Sequence, residues 1–151
     1  MKVSRWTGFA FLIITGIVAG CSTTDMTGPT TPTLSLYQRL GEKQAITAVV
    51  EDFVGRVAAD TRINGKFANA NIPRLKMMLV DQICMASGGP CTYTGRDMRI
   101  AHAGMGITSA EFDALVQDLV TTLNKFKVEE REKNELLSVL GPMKKDIVER
   151  P

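Results

Sequence analysis

The chain has 151 residues, 44% of them hydrophobic and 23% charged, an ordinary composition for one globular domain. Its formal charge is +2, from 18 bases and 16 acids. Lys2 and Arg5 account for that excess, so the chain beyond residue 20 is formally neutral and gives no support for nucleic-acid binding, which draws on a basic patch.

The first 33 residues are unlike the rest. After Lys2 and Arg5 comes an apolar run from Trp6 to Ala19, shorter than the roughly 20 residues a membrane-spanning helix needs. It fits the hydrophobic region of a secretory signal peptide. The run ends Val18-Ala19-Gly20-Cys21, which resembles a bacterial lipobox, so residues 1–20 are expected to be a lipoprotein signal peptide and Cys21 to carry lipid. Because Ser22 rather than aspartate follows, the expected location is the periplasmic side of the outer membrane, with a lipid anchor as the link to that membrane. Residues 21–33 are rich in Thr, Pro and Gly and read as a flexible tether.

From Leu34 the apolar spacing is helical and no strand alternation is sustained. Ser35 to Leu40 predicts a short helical turn ending at Gly41. Glu42 to about Ala59 predicts a longer helix, with Ile46, Val49, Val50, Phe53 and Val57 on one face. Gly55 is costly inside it, and close approach of another element is the expected reason. Asp60 to Asn71 reads as irregular, anchored by Phe67. Pro73 suits the first turn of a helix carrying Leu75, Met78, Leu79 and Gln82 on one face and stopping at Ser87-Gly88-Gly89-Pro90. Thr108 to Glu111 fits a capping box. The helix it opens carries Phe112, Leu115, Val116, Leu119 and Leu123. A last helical region from about Glu129 to Glu149 should break at Gly141-Pro142.

Cys84 and Cys91 remain after Cys21. An oxidising compartment favours a disulfide between them. The alternatives are two free thiols or a metal pair, though zinc would need further ligands and the chain holds one histidine, His102.

The segments LYQRLG, AVVEDFVGRV, SGGP followed by YTGRDM, and AHAGMGIT with its capped helix resemble the group 1 truncated globins across Leu36 to about Val148. The resemblance implies an all-α domain over residues 34–149, two helices stacked on two, enclosing heme b. It implies that His102 is the proximal iron ligand and that Phe53, Phe67, Leu75, Leu79, Tyr93, Met98, Ile107, Phe112 and Leu140 line the pocket. The small residues Ala101, Ala103 and Gly104 would leave room for a flat porphyrin.

The departures bear on function. Val54 stands where the family usually has a tyrosine, and Leu75 and Leu79 stand where a polar residue is common. The usual hydrogen bonds to bound oxygen are therefore expected to be missing, with Gln82 as a partial substitute; nitric oxide dioxygenation is weakened by the same change. Met78 occupies the place of a histidine that closes onto the iron in some members, so Met78 is a candidate second metal ligand beside His102. Arg74, Lys76 and Arg99 are candidate partners for the heme propionates. The first reading is a heme protein binding oxygen, nitric oxide or carbon monoxide. The alternatives are an electron carrier with His102/Met78 coordination and a redox partner, and a heme-free helical adaptor.

Overall fold

The computed structural model describes residues 33–150. The expected signal peptide, Cys21 and nearly all of the expected tether lie outside that range. Seven α-helices follow in order: α1 (Leu36–Arg39), α2 (Glu42–Ala59), α3 (Ile72–Ala86), α4 (Met98–His102), α5 (Ser109–Lys125), α6 (Glu130–Leu140) and α7 (Lys144–Ile147). Two 3-10 turns, Asn64–Phe67 and Gly141–Met143, join them. The described residues contain no strand; one isolated bridge pairs Thr108 with Arg150.

Helix α2 is the centre of the fold, packing against α3 on one side and α5 on the other. Its predicted face is the buried one: Ile46, Val49, Val50, Phe53 and Val57 are all core residues. Each such side chain contributes about 1.5–3 kcal/mol on leaving water. Leu119 and Leu123 from α5 and Leu136 from α6 complete the same cluster. Gly55 departs from expectation. It lies on the exposed side of α2, and a Cβ added there would meet nothing within 4 Å. No element approaches it, because position 55 faces solvent while Phe53, Val54 and Val57 face inward.

The ends of the helices follow local chemistry. Ser35 and Thr108 each form a reciprocal capping box, with Gln38 and Glu111 respectively. Asn71 caps α3 by accepting from the Arg74 amide, with a proline in the first turn. Gly141-Pro142 ends α6, as Pro cannot continue the amide ladder, and the chain turns through a 3-10 step into α7. The segment Asp60 to Asn71 holds one 3-10 turn that sequence periodicity does not show, since four residues are too few to display a repeat.

Cys84 and Cys91 form a disulfide that ties the end of α3 to the loop leading to α4. Cys84 is fully buried, and Gly89 packs against it so closely that a Cβ would lie 2.7 Å from the sulfur and 2.5 Å from the Tyr37 ring. At the other end of α1, Arg39 reaches α6, bonding Glu132 at 2.8 Å and also Glu135. That guanidinium holds the Glu132 carboxyl below the usual carboxylate range.

Candidate functional site: an apolar cavity with a single imidazole

A cavity of about 690 Å³ lies between α2, α3, α4 and α5 and is closed at one side by the C-terminal helices. This is within the range of small-molecule and cofactor sites, roughly 300–1,000 Å³. Phe53 reaches it from α2 and Phe67 from the 3-10 turn; Leu75, Met78, Leu79 and Gln82 border it from α3, so the predicted face of that helix is the cavity wall. Tyr93 comes from the loop before α4, and Met98, Ala101 and His102 from α4 itself. Ile107, Phe112, Leu115, Leu119 and Leu140 complete the far side.

Val54 does not border the cavity. It is buried in the core on the α2 face next to Phe53, about 100° around the helix. Ala103 and Gly104 also lie off the wall, exposed in the loop after α4, so of the three small neighbours of His102 only Ala101 leaves space beside it. Several wall residues are beyond sequence reading. Met143 and Ile147 arrive from the last two helical segments, and Met105, Ile63 and Arg96 from loops. Nothing periodic marks the loop residues, because chain reversals bring them in; Arg96 and Met105 stand in segments, YTGRDM and AHAGMGIT, that the family resemblance singles out.

The imidazole is oriented by its own helix. His102 Nδ1 lies 2.7 Å from the carbonyl oxygen of Met98, one turn earlier. A carbonyl oxygen only accepts, so Nδ1 carries a proton, and in the neutral ring Nε2 keeps its lone pair. That is the arrangement in which an outer hydrogen bond fixes the tautomer of a metal-binding histidine. Helix α4 has five residues and none of them is buried, yet Asp97 caps it by accepting from the Ile100 amide. The Tyr93 hydroxyl donates to the Arg96 carbonyl at 2.9 Å and folds the preceding loop under its ring. Burial, helped by the charge of Asp97, pushes the Tyr93 hydroxyl above its ordinary range, so it stays a neutral donor.

Several polar groups at the wall are engaged. The Glu111 carboxylate accepts from the Thr108 amide at 2.8 Å and sits 3.4 Å from Lys66 Nζ, which holds it below the usual carboxylate range; the amide is the larger cause. Lys66 also donates to the Met105 carbonyl at 2.8 Å. Gln82 directs its amide nitrogen at the sulfurs of Met98 and Met143, 3.4 Å from each. Arg74 and Arg96 border the cavity, and both are exposed. Of the candidate anion partners, Lys76 is paired with Glu51 and Arg99 with Asp146, and neither borders the cavity. Their helical positions point them away from it; Arg74, one turn before Met78, points toward its mouth.

The donor set decides what the site can hold. Among the described residues there is no group of three or more His, Cys, Asp or Glu side chains able to hold a metal ion. A lone imidazole does not bind a metal firmly by itself. It does so when a chelate supplies the remaining donors, as a porphyrin does for iron. A flat apolar macrocycle with two acidic tails fits this cavity: apolar walls, one lone pair, and two arginines at the mouth.

Comparison with known proteins agrees. The bacterial-like globin family matches residues 35–149. The chain is 36% identical over 113 residues to a group 1 truncated hemoglobin (GlbN) of Mycolicibacterium paratuberculosis, covering 75% of this chain and 83% of that protein. It is 32% identical over 114 residues to the group 1 truncated hemoglobin of Tetrahymena pyriformis, covering 76% and 94%. The crystal structure of the Tetrahymena pyriformis protein in its Fe(III) form superposes with a TM-score of 0.74, over 76% of this chain and 98% of that one. A 2/2 hemoglobin from Synechococcus, in the cyanomet state with covalently attached heme, gives 0.73 at 34% identity, over 78% and 100%. The fold is thus the two-over-two helical sandwich, and the chain belongs to the truncated hemoglobins of the bacterial-like globin family.

Proposed function

We propose that this protein binds heme b through His102 and takes up small diatomic ligands, oxygen, nitric oxide or carbon monoxide, in an apolar pocket. The observation that carries this reading is the His102 ring: its Nδ1 is committed to Met98, and its Nε2 lone pair is left for a metal at the wall of a cavity of about 690 Å³. Bound heme supplies an iron centre with a position open to a small ligand. Arg74 and Arg96 would hold its propionates as charge-assisted partners. Phe53, Leu75, Leu79 and Phe112 give the pocket apolar walls.

The residues around the pocket give a bound ligand little polar help. Leu75 and Leu79 are apolar, Val54 is buried away from the wall, and Gln82 spends its donor on two thioethers. A hydrogen bond to a strongly polarised group contributes about 1.5–3 kcal/mol, so oxygen is held roughly tenfold or more weakly than where such a donor is present. Carbon monoxide depends less on that donor. Absorption spectra of the oxidised and reduced protein, with and without carbon monoxide, test the reading. A Soret band that shifts on carbon monoxide addition is the expected result; a colourless protein that takes up no added heme refutes it and leaves the adaptor reading.

Met78 supports a second reading. Its position on the cavity wall, on the α3 face opposite the core, is compatible with a thioether ligand to iron. The protein would then be a two-ligand electron carrier, and carbon monoxide would bind slowly, gated by release of the sulfur.

We also propose export and lipidation at Cys21, anchoring the globin on the periplasmic side of the outer membrane. Residues 1–21 carry that reading, and the Cys84–Cys91 disulfide supports it, since such bonds persist in oxidising compartments. Among residues 33–150 no helix is long and apolar enough to cross a membrane. Lipid labelling that survives in a Cys21→Ser variant overturns it.

A further inference from the structure

Helix α4 is poorly held by its own sequence. It has five residues and buries none of them, and so short a helix is unstable alone. It packs mainly against α7. What fixes the chain just after His102 is the tail beyond α7. The Glu149 carboxylate accepts from two backbone amides, Gly104 N at 2.6 Å and Gly106 N at 2.5 Å, one oxygen to each. Both glycines have positive φ, +79° and +59°, a conformation that turns the amides of this loop toward one anion, as in a backbone nest. The tail is then pinned beside the loop. The amides of Glu149 and Arg150 donate to the Ile107 carbonyl at 2.9 and 3.1 Å, and the Ser109 amide donates to the Arg150 carbonyl at 3.0 Å.

We propose that Glu149 is a positioning residue for His102. Its carboxylate clamps the Gly104–Gly106 loop and so sets the direction in which the chain leaves α4, and with it the orientation of the imidazole toward the cavity. Lys66 grips the same loop through the Met105 and Gly106 carbonyls, at 2.8 and 3.3 Å. The two charges thus divide the loop's polar groups, Glu149 taking amides and Lys66 taking carbonyls. The two amides, that of Gly104 foremost, hold the Glu149 carboxyl below its usual range, so it is ionised at neutral pH. Glu149 lies at the surface, so its replacement removes the clamp without opening a cavity in the core.

The inference builds on the heme reading, and the test separates the two. Unchanged protein, Glu149→Gln and Glu149→Ala are compared in two states. In the heme-loaded state, resonance Raman reads the iron–histidine stretching band of the ferrous form, and transfer to apomyoglobin reads heme loss. In the heme-free state, NMR hydrogen exchange reads the Gly104 and Gly106 amides and the His102 Nδ1 proton. The expected result for Glu149→Ala is heme loss roughly tenfold faster, the scale on which outer-shell partners act, a shifted or broadened iron–histidine band, and faster exchange of the imidazole proton. Glu149→Gln, which keeps one acceptor, falls in between. If the glycine amides open but the band, the heme loss and the imidazole proton are unchanged, Glu149 ties down the loop without positioning His102, and the proposal is overturned. If the unchanged protein takes up no heme, the heme reading fails, and exchange of the imidazole proton alone decides for or against Glu149.

Discussion

Asp118 on α5 stands beside Asp60, the residue that ends α2. Asp118 is 7% exposed, and its Oδ2 has no hydrogen-bond partner, while Asp60 is gripped by the Arg62 guanidinium at 2.7 Å. Two adjacent carboxyls of which one is saturated by arginine divide their affinities. Arg62 holds Asp60 below the usual range; burial, and then the charge of Asp60, push Asp118 above it, against the opposing pull of Arg62 and Arg56.

That relationship predicts a pH-dependent effect of Asp118→Asn. A carboxyl with a raised folded pKa binds its proton more tightly in the folded chain. Its stabilising contribution is therefore complete below the ordinary value of 3.8 and is lost as pH rises through the folded value. An asparagine amide can donate to Asp60 at every pH. The substitution should stabilise the protein near pH 8 by roughly 1 kcal/mol, with the gain shrinking toward pH 4. Thermal melts across that range check it; a gain that does not change with pH contradicts a raised proton affinity of Asp118 in the folded chain.

Gly55→Ala should stabilise the fold by about 1 kcal/mol, the helix-propensity difference. The added methyl meets nothing within 4 Å, so no packing cost opposes it. Denaturant unfolding measures the change, and a loss of stability would show that the outer face of α2 is covered in solution.

Removing the disulfide should cost stability. The bond closes a loop of sequence separation 7, for which chain entropy gives roughly 2 kcal/mol. A Cys84→Ala/Cys91→Ala double variant should lose about that much, plus a smaller cost for the cavity at the fully buried position 84. Its loop to α4 should also exchange amide hydrogens faster. Equal melting of the oxidised protein and the double variant would contradict this.

At the site, His102→Ala should lower heme affinity by more than the roughly 10–100-fold that loss of an outer-shell partner costs, read by titration of the apoprotein. Met78→Leu conserves volume and should leave the absorption spectra of both redox states unchanged if the pocket is open, as the diatomic-ligand reading holds. A spectral change on that substitution transfers support to the His102/Met78 electron carrier.

Much of this protein is legible in its sequence because the information is local or periodic. The buried face of α2 and the cavity face of α3 follow from spacings of three and four residues, since a helix repeats every 3.6. The Thr108–Glu111 cap and the break at Gly141-Pro142 are properties of adjacent residues. The resemblance to truncated globins added what periodicity does not carry, that His102 and the α3 face belong to one pocket.

Other features were decided only by tertiary structure. Gly55 was expected to meet a closely approaching element, and only the packing of α3 and α5 on the other faces of α2 leaves it facing solvent. Arg74, Lys76 and Arg99 look alike as charges; their partners Glu51 and Asp146 come from distant segments and remove two of them from the cavity mouth. The same holds for the imidazole. By sequence alone His102 is the one histidine of the chain, but its tautomer follows from a carbonyl one turn away, and the loop after it is held by Glu149, 45 residues beyond Gly104. Spacing within a helix is written along the chain, whereas the pairing of backbone amides with a remote carboxylate exists only once the chain has folded back on itself.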